Sequence, residues 1–335
     1  MRLADKLALG YAYTTSLLAF MVDGPPRPFS ASFAVTNRCN LRCAYCNCPF
    51  IDPTHLDLRQ IDILFGRLQD MGVCRLGLAG GEPMMRPDIG DIIALAKRRR
   101  FYVTVNSNLT LYDRHPDRLA LADLVYTSLD GDAAAHVAAR GERAYDGVIA
   151  GITQLLRSGK PVVAICVVTE HSVAQAEFLL QQAEAIGFRL HFQPQCVDTD
   201  VVRGAVSTAV SNERWRAFWS DLLDAKRRGR PIVSSTPYLK FLSQWEDFAI
   251  SAYHEPGVRC PAGHGYLYID PLGKAYPCAY TKGKTTPVDL LSQTWREAWD
   301  RETPCTRCTV GPMLEFNLLF QQPLATLPDS LRTYG

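Results

Sequence analysis

Six times between residues 32 and 194 the sequence runs through a short β-rich segment and then through a segment of helical or polar pattern, and this alternation most limits the folds open to it. The β-rich runs lie at 32–37, 74–79, 101–107, 124–129, 161–168 and 188–194. Between the first two, Ile61, Leu64, Phe65, Leu68 and Met71 recur at helical spacing, an apolar stripe to bury against a sheet. Gly159 and Gly187 stand where later helices would stop, the post-helix position that glycine favours. Repeated strand–helix units with right-handed crossovers build a parallel sheet covered by helices. The pattern therefore predicts an α/β fold, an open or partial (β/α)6 parallel barrel over residues 31–235. Parallel barrels carry their reactive loops at the C-terminal ends of the strands, so chemistry is expected after each run.

The loop after the first run reads Cys39-Asn40-Leu41-Arg42-Cys43-Ala44-Tyr45-Cys46. Three thiolates on one tight loop can hold three irons of a [4Fe-4S] cube and leave the fourth iron open to another molecule. Zinc sites usually close a four-ligand shell with two CxxC-like pairs, and no partner pair is near. Cys48 is close enough in sequence to close the shell, but closed cubes use more widely separated fourth cysteines.

A C-x3-C-x2-C loop directly after the apolar run Phe33 to Thr36, with Tyr45 before its last cysteine, resembles the signature of the radical S-adenosylmethionine (radical SAM) superfamily. The resemblance implies that the open iron chelates the amino and carboxylate groups of SAM. One electron, from a reducing donor such as flavodoxin or ferredoxin, then cleaves SAM to a 5'-deoxyadenosyl radical. Ala79-Gly80-Gly81-Glu82-Pro83, after the second run, matches the GGE motif with which that family binds the SAM amino group. Read without the family, the two glycines mark a turn or a place where backbone approaches a ligand closely. Ser128-Leu129-Asp130-Gly131 ends the fourth run and is followed by His136 and Arg140-Gly141. In relatives with this pattern the serine and arginine face the carboxylate and ribose of SAM. Tyr45, Gly80, Gly81, Glu82, Ser128 and Arg140 are thereby the expected SAM contacts. Taken alone, Asp130-Gly131 is turn chemistry and Arg140 a surface charge. Asn106 and Asn108 line the site or serve as turn residues.

A second group of cysteines lies C-terminal. Cys260, Gly273 and Cys278 read C-x12-G-x4-C around an expected hairpin, Tyr266 to Tyr276, turning at Asp270 to Gly273. After a helical pattern around 289–302 comes Cys305-Thr306-Arg307-Cys308. In isolation these four cysteines read as structural zinc. Beside a radical SAM core they resemble the "twitch" domain, the shortened SPASM form, which holds one auxiliary [4Fe-4S] cluster, here over residues 236–320. A fully thiolate-ligated cube has no open iron, so electron transfer or structural support is its expected work. No cysteine follows Cys308, and residues 321–335 read as a tail, so no second auxiliary cluster is expected.

Residues 1–30 read as an apolar helix and a proline-rich linker. Leu7 to Val22 is uncharged but shorter than the ~20 residues that span a bilayer, which leaves a helix packed on the body or one in peripheral contact with a lipid surface. With 36 Lys+Arg against 34 Asp+Glu, no general pull toward nucleic acid is expected. The runs Lys97 to Arg100 and Lys226 to Arg230 read as solvated helix ends. Eleven cysteines without a secretory signal argue for metal ligation in a reducing, cytoplasmic setting.

A fully ligated twitch cluster resembles that of radical SAM dehydrogenases acting on an aminocyclitol alcohol. The working expectation is thus a two-electron oxidation of a C–H bond in a small biosynthetic metabolite, with the auxiliary cluster taking the electron. His191 is the candidate base; Gln193 and Gln195 share its strand face. A lone histidine on a strand otherwise reads as a structural hydrogen-bonding residue. Rival substrates are a peptide, though thirty residues before the barrel cannot make a winged-helix leader-binding domain, or a lipid or isoprenoid. A non-catalytic iron–sulfur electron-transfer protein is the rival of another class, and Gly80-Gly81-Glu82, Ser128 and Arg140 speak against it.

Overall fold

The computed structural model describes residues 3–141, 144–195, 210–248, 260–293 and 310–334. Six parallel strands follow one another in order: β1 (Ser30–Thr36), β2 (Arg75–Gly80), β3 (Tyr102–Asn106), β4 (Leu124–Ser128), β5 (Val162–Val168) and β6 (Arg189–Pro194). Each agrees with a sequence-derived run to within about two residues. The intervening helices are α2 (Leu58–Asp70), α3 (Ile89–Arg98), α4 (Ala133–Arg140), α5 (Ala144–Arg157) and α6 (Ala176–Ile186). Helix α2 starts on a capping box in which Asp57 accepts from Gln60 N at 2.8 Å and Gln60 accepts from Asp57 N at 3.0 Å. It buries Ile61, Leu64, Phe65 and Leu68, the predicted stripe. Helix α6 ends at Gly187, whose φ of +96° is the left-handed conformation that glycine adopts without steric cost.

The sheet is α/β and parallel-dominated, and it does not close. Phe33, Leu78, Val105, Val125, Ala164 and Phe192 point outward into one core with the helices. A smaller cluster of Tyr102, Leu124 and Val163 fills the concave side. Beyond β1 the sheet continues with β7 (Tyr266–Ile269), parallel to β1, then antiparallel β8 (Lys274–Tyr276) and β9 (Val288–Asp289). The predicted hairpin is therefore β7–β8, and it extends the barrel sheet itself. Sheet and core run without a break across residue 235, where the sequence pattern ends the barrel: Leu267, Ile269 and Leu314 belong to the same core as Phe33.

Five further α-helices lie among the described residues. Helix α1 (Leu3–Met21) docks through Tyr13, edge-on to Phe29 and Phe320, with its hydroxyl donating to Leu319 O at 2.8 Å. Its other face exposes Leu7, Tyr11, Leu18, Met21 and Val22. Among the described residues no helix is long and apolar enough to cross a membrane. Helices α7 (Asn212–Arg227) and α8 (Thr236–Ser243) pack on each other beside the β6 edge. Residues read as a tail instead form most of an ordered helix, here α10 (Pro323–Tyr334), which follows α9 (Gly311–Gln321). The correction has a plain cause: α10 carries Asp329 to Lys226 (3.1 Å) and to the N–H of Thr236 (2.9 Å), partners about 90 to 100 residues away in sequence. Lys226 is accordingly a largely shielded ion-pair partner, its side chain 12% exposed, and not a solvated helix end.

Helix α9 crosses the open seam of the barrel. At its start Gly311 lies against β6 so closely that a Cβ would sit 2.6 Å from Gln193 Cβ and 2.9 Å from Tyr238 Oη. Further along, Phe316 stacks on Phe29 at 5.6 Å, beside the entry to β1.

Candidate functional site

The three-cysteine loop leaves β1 at the C-terminal end of the barrel and is pinned by its neighbours. From β2, Gly81 N donates to Thr36 O and Glu82 N donates to Arg38 O, both at 2.8 Å. This approach requires glycine: a Cβ on Gly81 would collide with the carbonyl of Arg38 and stand 2.6 Å from Asn37 O, and one on Gly80 would meet Thr36 O. The close approach read from Gly80-Gly81 is thus made to the backbone of the cysteine loop. Glu82 is buried, and its carboxylate accepts from Asn108 N (2.7 Å), Ser107 Oγ (2.7 Å) and Met84 N (2.9 Å). Burial raises its pKa while the three donors oppose the shift. Its side chain therefore clamps the exit of β3 to that of β2.

Asn108 continues the clamp, donating to Asn40 Oδ1 at 2.9 Å, while Asn40 donates to Thr110 Oγ1 at 2.7 Å. Asn106 is exposed at the barrel mouth. On the α4 side, Ala44 N donates to Ala139 O at 3.0 Å. Ser128 ends β4, on the strand face opposite Val125 and Thr127.

Sequence reasoning missed Asp130. Fully buried, it accepts from Arg140 Nε (2.6 Å), Arg140 Nη2 (3.3 Å), Tyr45 Oη (3.2 Å) and Val167 N (2.9 Å). Arg140 lies over the Tyr45 ring, 5.5 Å from its centroid, and reaches Cys43 Sγ at 4.0 Å. Tyr45 and Arg140 thus meet each other beside a cluster cysteine. Only the Asp-Gly turn signal marked Asp130, and turn chemistry does not distinguish a hub from a cap.

Cys39, Cys43 and Cys46 are half-buried on this loop. Burial pushes the Cys39 thiol up to about 11, and the charges of Cys43 and Cys46 add to the shift. Cys43 is raised by burial, with Arg140 acting against it. Cys48 donates a hydrogen bond that holds Cys46 down at about 6. Among the described residues no three such ligands converge on a single ion.

In the second cysteine group, Cys260 and Cys278 belong to one apolar box with Ala262, Tyr266, Val310 and Met313. Cys305 and Cys308 lie outside the described residues. His191 is 8% exposed, with Nδ1 3.0 Å from Ser234 Oγ, and its Nε2 is buried without a partner among the described residues. Burial lowers its pKa to about 4, so it is neutral at physiological pH and a weak proton acceptor.

Residues 33–183 match the family model of the Radical SAM superfamily. The chain is 27% identical over 267 residues to the mycofactocin maturase MftC of Mycobacterium tuberculosis, covering 77% of this chain and 66% of MftC, just under two thirds of that relative's length. It is 24% identical over 310 residues to the PqqA peptide cyclase of Streptomyces rochei, covering 84% and 81% of the two chains. The fold matches that of Streptococcus suis SuiB bound to S-adenosylmethionine, with a TM-score of 0.69 at 16% identity over 86% of this chain and 68% of SuiB. Enzymes of the superfamily use a [4Fe-4S] cluster and SAM. The matched segment starts inside β1 and ends inside α6, so residues 33–183 correspond to a radical SAM domain.

Proposed function

We propose that Cys39, Cys43 and Cys46 hold a [4Fe-4S] cluster by three of its irons and that the barrel mouth beside them binds SAM. The observation that carries this reading is the loop's anchorage by three neighbouring elements, with the Asp130–Arg140 pair set against Cys43. The donor set suits the group: three thiols on one loop provide the ligands, and buried Arg140 offsets thiolate charge. Bound there, the cluster and SAM supply a carbon-centred radical that takes a hydrogen atom from an unactivated C–H bond. The protein's part is positional. Gly81 and Glu82 fix the loop, and Ser128 at the end of β4, Tyr45 on the cysteine loop and Arg140 at the end of α4 orient SAM. The unpartnered Nε2 of His191 offers a hydrogen bond to substrate in place of the base first expected.

Cys260 and Cys278, with Cys305 and Cys308, hold an auxiliary [4Fe-4S] cluster in this reading. Such a cluster supplies an electron acceptor, which makes the net reaction a two-electron oxidation. A peptide is the substrate favoured over a small metabolite. The name of the PqqA peptide cyclase supports that choice, as does SuiB bound to its precursor peptide SuiA.

The test is anaerobic. The protein is reconstituted with iron and sulfide, reduced and given SAM, and 5'-deoxyadenosine and iron are measured in wild type and in Cys39→Ala/Cys43→Ala/Cys46→Ala. About eight irons in wild type and about four in the variant, with deoxyadenosine from wild type only, are expected. Intact clusters with no deoxyadenosine would reject the reading. Deuterated cell extract, split into peptide and small-molecule fractions, then tests the substrate: deuterium should enter deoxyadenosine from the peptide fraction.

A further inference from the structure

The apolar box around Cys260 and Cys278 contains one polar anomaly. Asn317, on α9, is 1% exposed and lies beside Cys260. As placed, the Cys260 thiol donates to Asn317 Oδ1 at 3.4 Å, while Nδ2 of the same amide is buried with no hydrogen-bond partner among the described residues. A buried amide donor without an acceptor is destabilising, because it has lost its hydrogen bond to water and gained none in return. Its position is not accidental slack, because α9 is fixed on either side: Glu315 accepts from Ser235 N at 2.7 Å, and Phe316 stacks on Phe29 and meets Tyr266 at 5.7 Å.

The anomaly disappears when Cys260 ligates iron. A metal-bound cysteine is a thiolate, which has no proton to give and can only accept. The two ends of a side-chain amide are nearly the same size, and the hydrogen-bond network decides which way it faces. Turned by half a revolution about its last bond, Asn317 places Nδ2 against Cys260 Sγ, and donor meets acceptor.

We propose that Asn317 is a positioning residue for the auxiliary cluster: its side-chain amide donates a hydrogen bond to the Cys260 thiolate and raises the cluster's reduction potential. This rests on the auxiliary-cluster reading given above. The direction follows from charge. Reduction adds an electron to the cluster, a donor stabilises the more negative state more, and hydrogen bonds to the sulfurs are among the levers that set such potentials.

The experiment uses the full chain carrying Cys39→Ala/Cys43→Ala/Cys46→Ala, so that only the auxiliary cluster is observed. Iron and sulfide are counted first; a protein that loads no cluster rejects the auxiliary-cluster reading itself, separately from the role of Asn317. With a cluster present, redox titration followed by EPR compares Asn317 with Asn317→Leu, near in size but without a donor, and with Asn317→Ser, which keeps one. The expected result is a reduction equilibrium about tenfold weaker in Asn317→Leu, a shift of about 59 mV to more negative potential for one electron, with partial recovery in Asn317→Ser. Equal potentials in all three would overturn the proposal. Should the leucine variant fail to load, the unsubstituted Asn317 protein decides: with asparagine side chains labelled with 15N, pulsed EPR of the reduced cluster should show a coupled amide nitrogen, and its absence rejects the hydrogen bond.

Discussion

At the scale of single residues, the site depends on groups whose contacts are made within the protein itself. Gly81 is the clearest, because the clash that a Cβ would make is with backbone oxygens, which have no rotamer by which to move away. Gly81→Ala should therefore displace the cysteine loop while sparing the core. The expected outcome is a folded protein whose iron content after reconstitution drops by about four, with circular dichroism like that of wild type. Asp130 is the second such group. Its carboxylate forms an ion pair with the buried Arg140, and stripping one member of a buried pair leaves a charge without compensation. Asp130→Asn should destabilise the fold by about 3–5 kcal/mol, read from the urea midpoint of the cluster-free protein. A loss below about 1 kcal/mol would mean that Arg140 finds another partner.

At the scale of elements, the six strands and their helices were legible because each is specified by its own residues: a β-rich run, an apolar stripe at helical spacing, a glycine at the stop. The attachment of β7 to β1 was not legible, since Tyr266 to Ile269 looks alike in any hairpin and its partner lies more than two hundred residues earlier. Site residues divide in the same way. Cysteine spacing announced the loop, whereas the hub at Asp130 depends on Val167, Tyr45 and Arg140 converging from three elements. The seating of α9 on α8 was equally invisible, and it is titratable. Glu315 accepts from the N–H of Ser235, the N-cap of α8, yet burial pushes its pKa up from 4.5 to about 7, with Asp329 adding to the rise and Lys226 opposing it. The folded state therefore binds the proton more tightly than the unfolded chain. Its contribution is fully present below pH 4.5 and is lost as pH rises through about 7, by roughly 3 kcal/mol in all. Denaturation of the metal-free protein should show stability falling between pH 5 and 8, and Glu315→Gln should flatten that slope. An unchanged slope in the variant would assign the dependence to other groups.

For the molecule as a whole, the sheet ends in β6 on one side and β9 on the other, and α9 reaches from the β6 edge to the β1–β7 junction inside the sheet. Gly311 sets the distance to β6, and Phe316 and Phe320 hold the other side through Phe29. Phe320 also carries α1, meeting Tyr13 at 5.9 Å and Phe20 at 5.4 Å, and it packs so tightly over Gly265 that no Cβ would fit there. One ring thus joins the first helix, the seam and the entry to β7. Truncating a buried phenylalanine costs about 3–5 kcal/mol through lost transfer energy and the cavity left behind. Phe320→Ala should lower the urea midpoint accordingly, and hydrogen exchange should rise in two places far apart in sequence: α1, which loses its anchor, and β6, whose outer edge loses the helix that covers it. Faster exchange in α1 alone, with β6 as protected as in wild type, would show that the seam is held by α8 and the strand itself, and that α9 closes nothing.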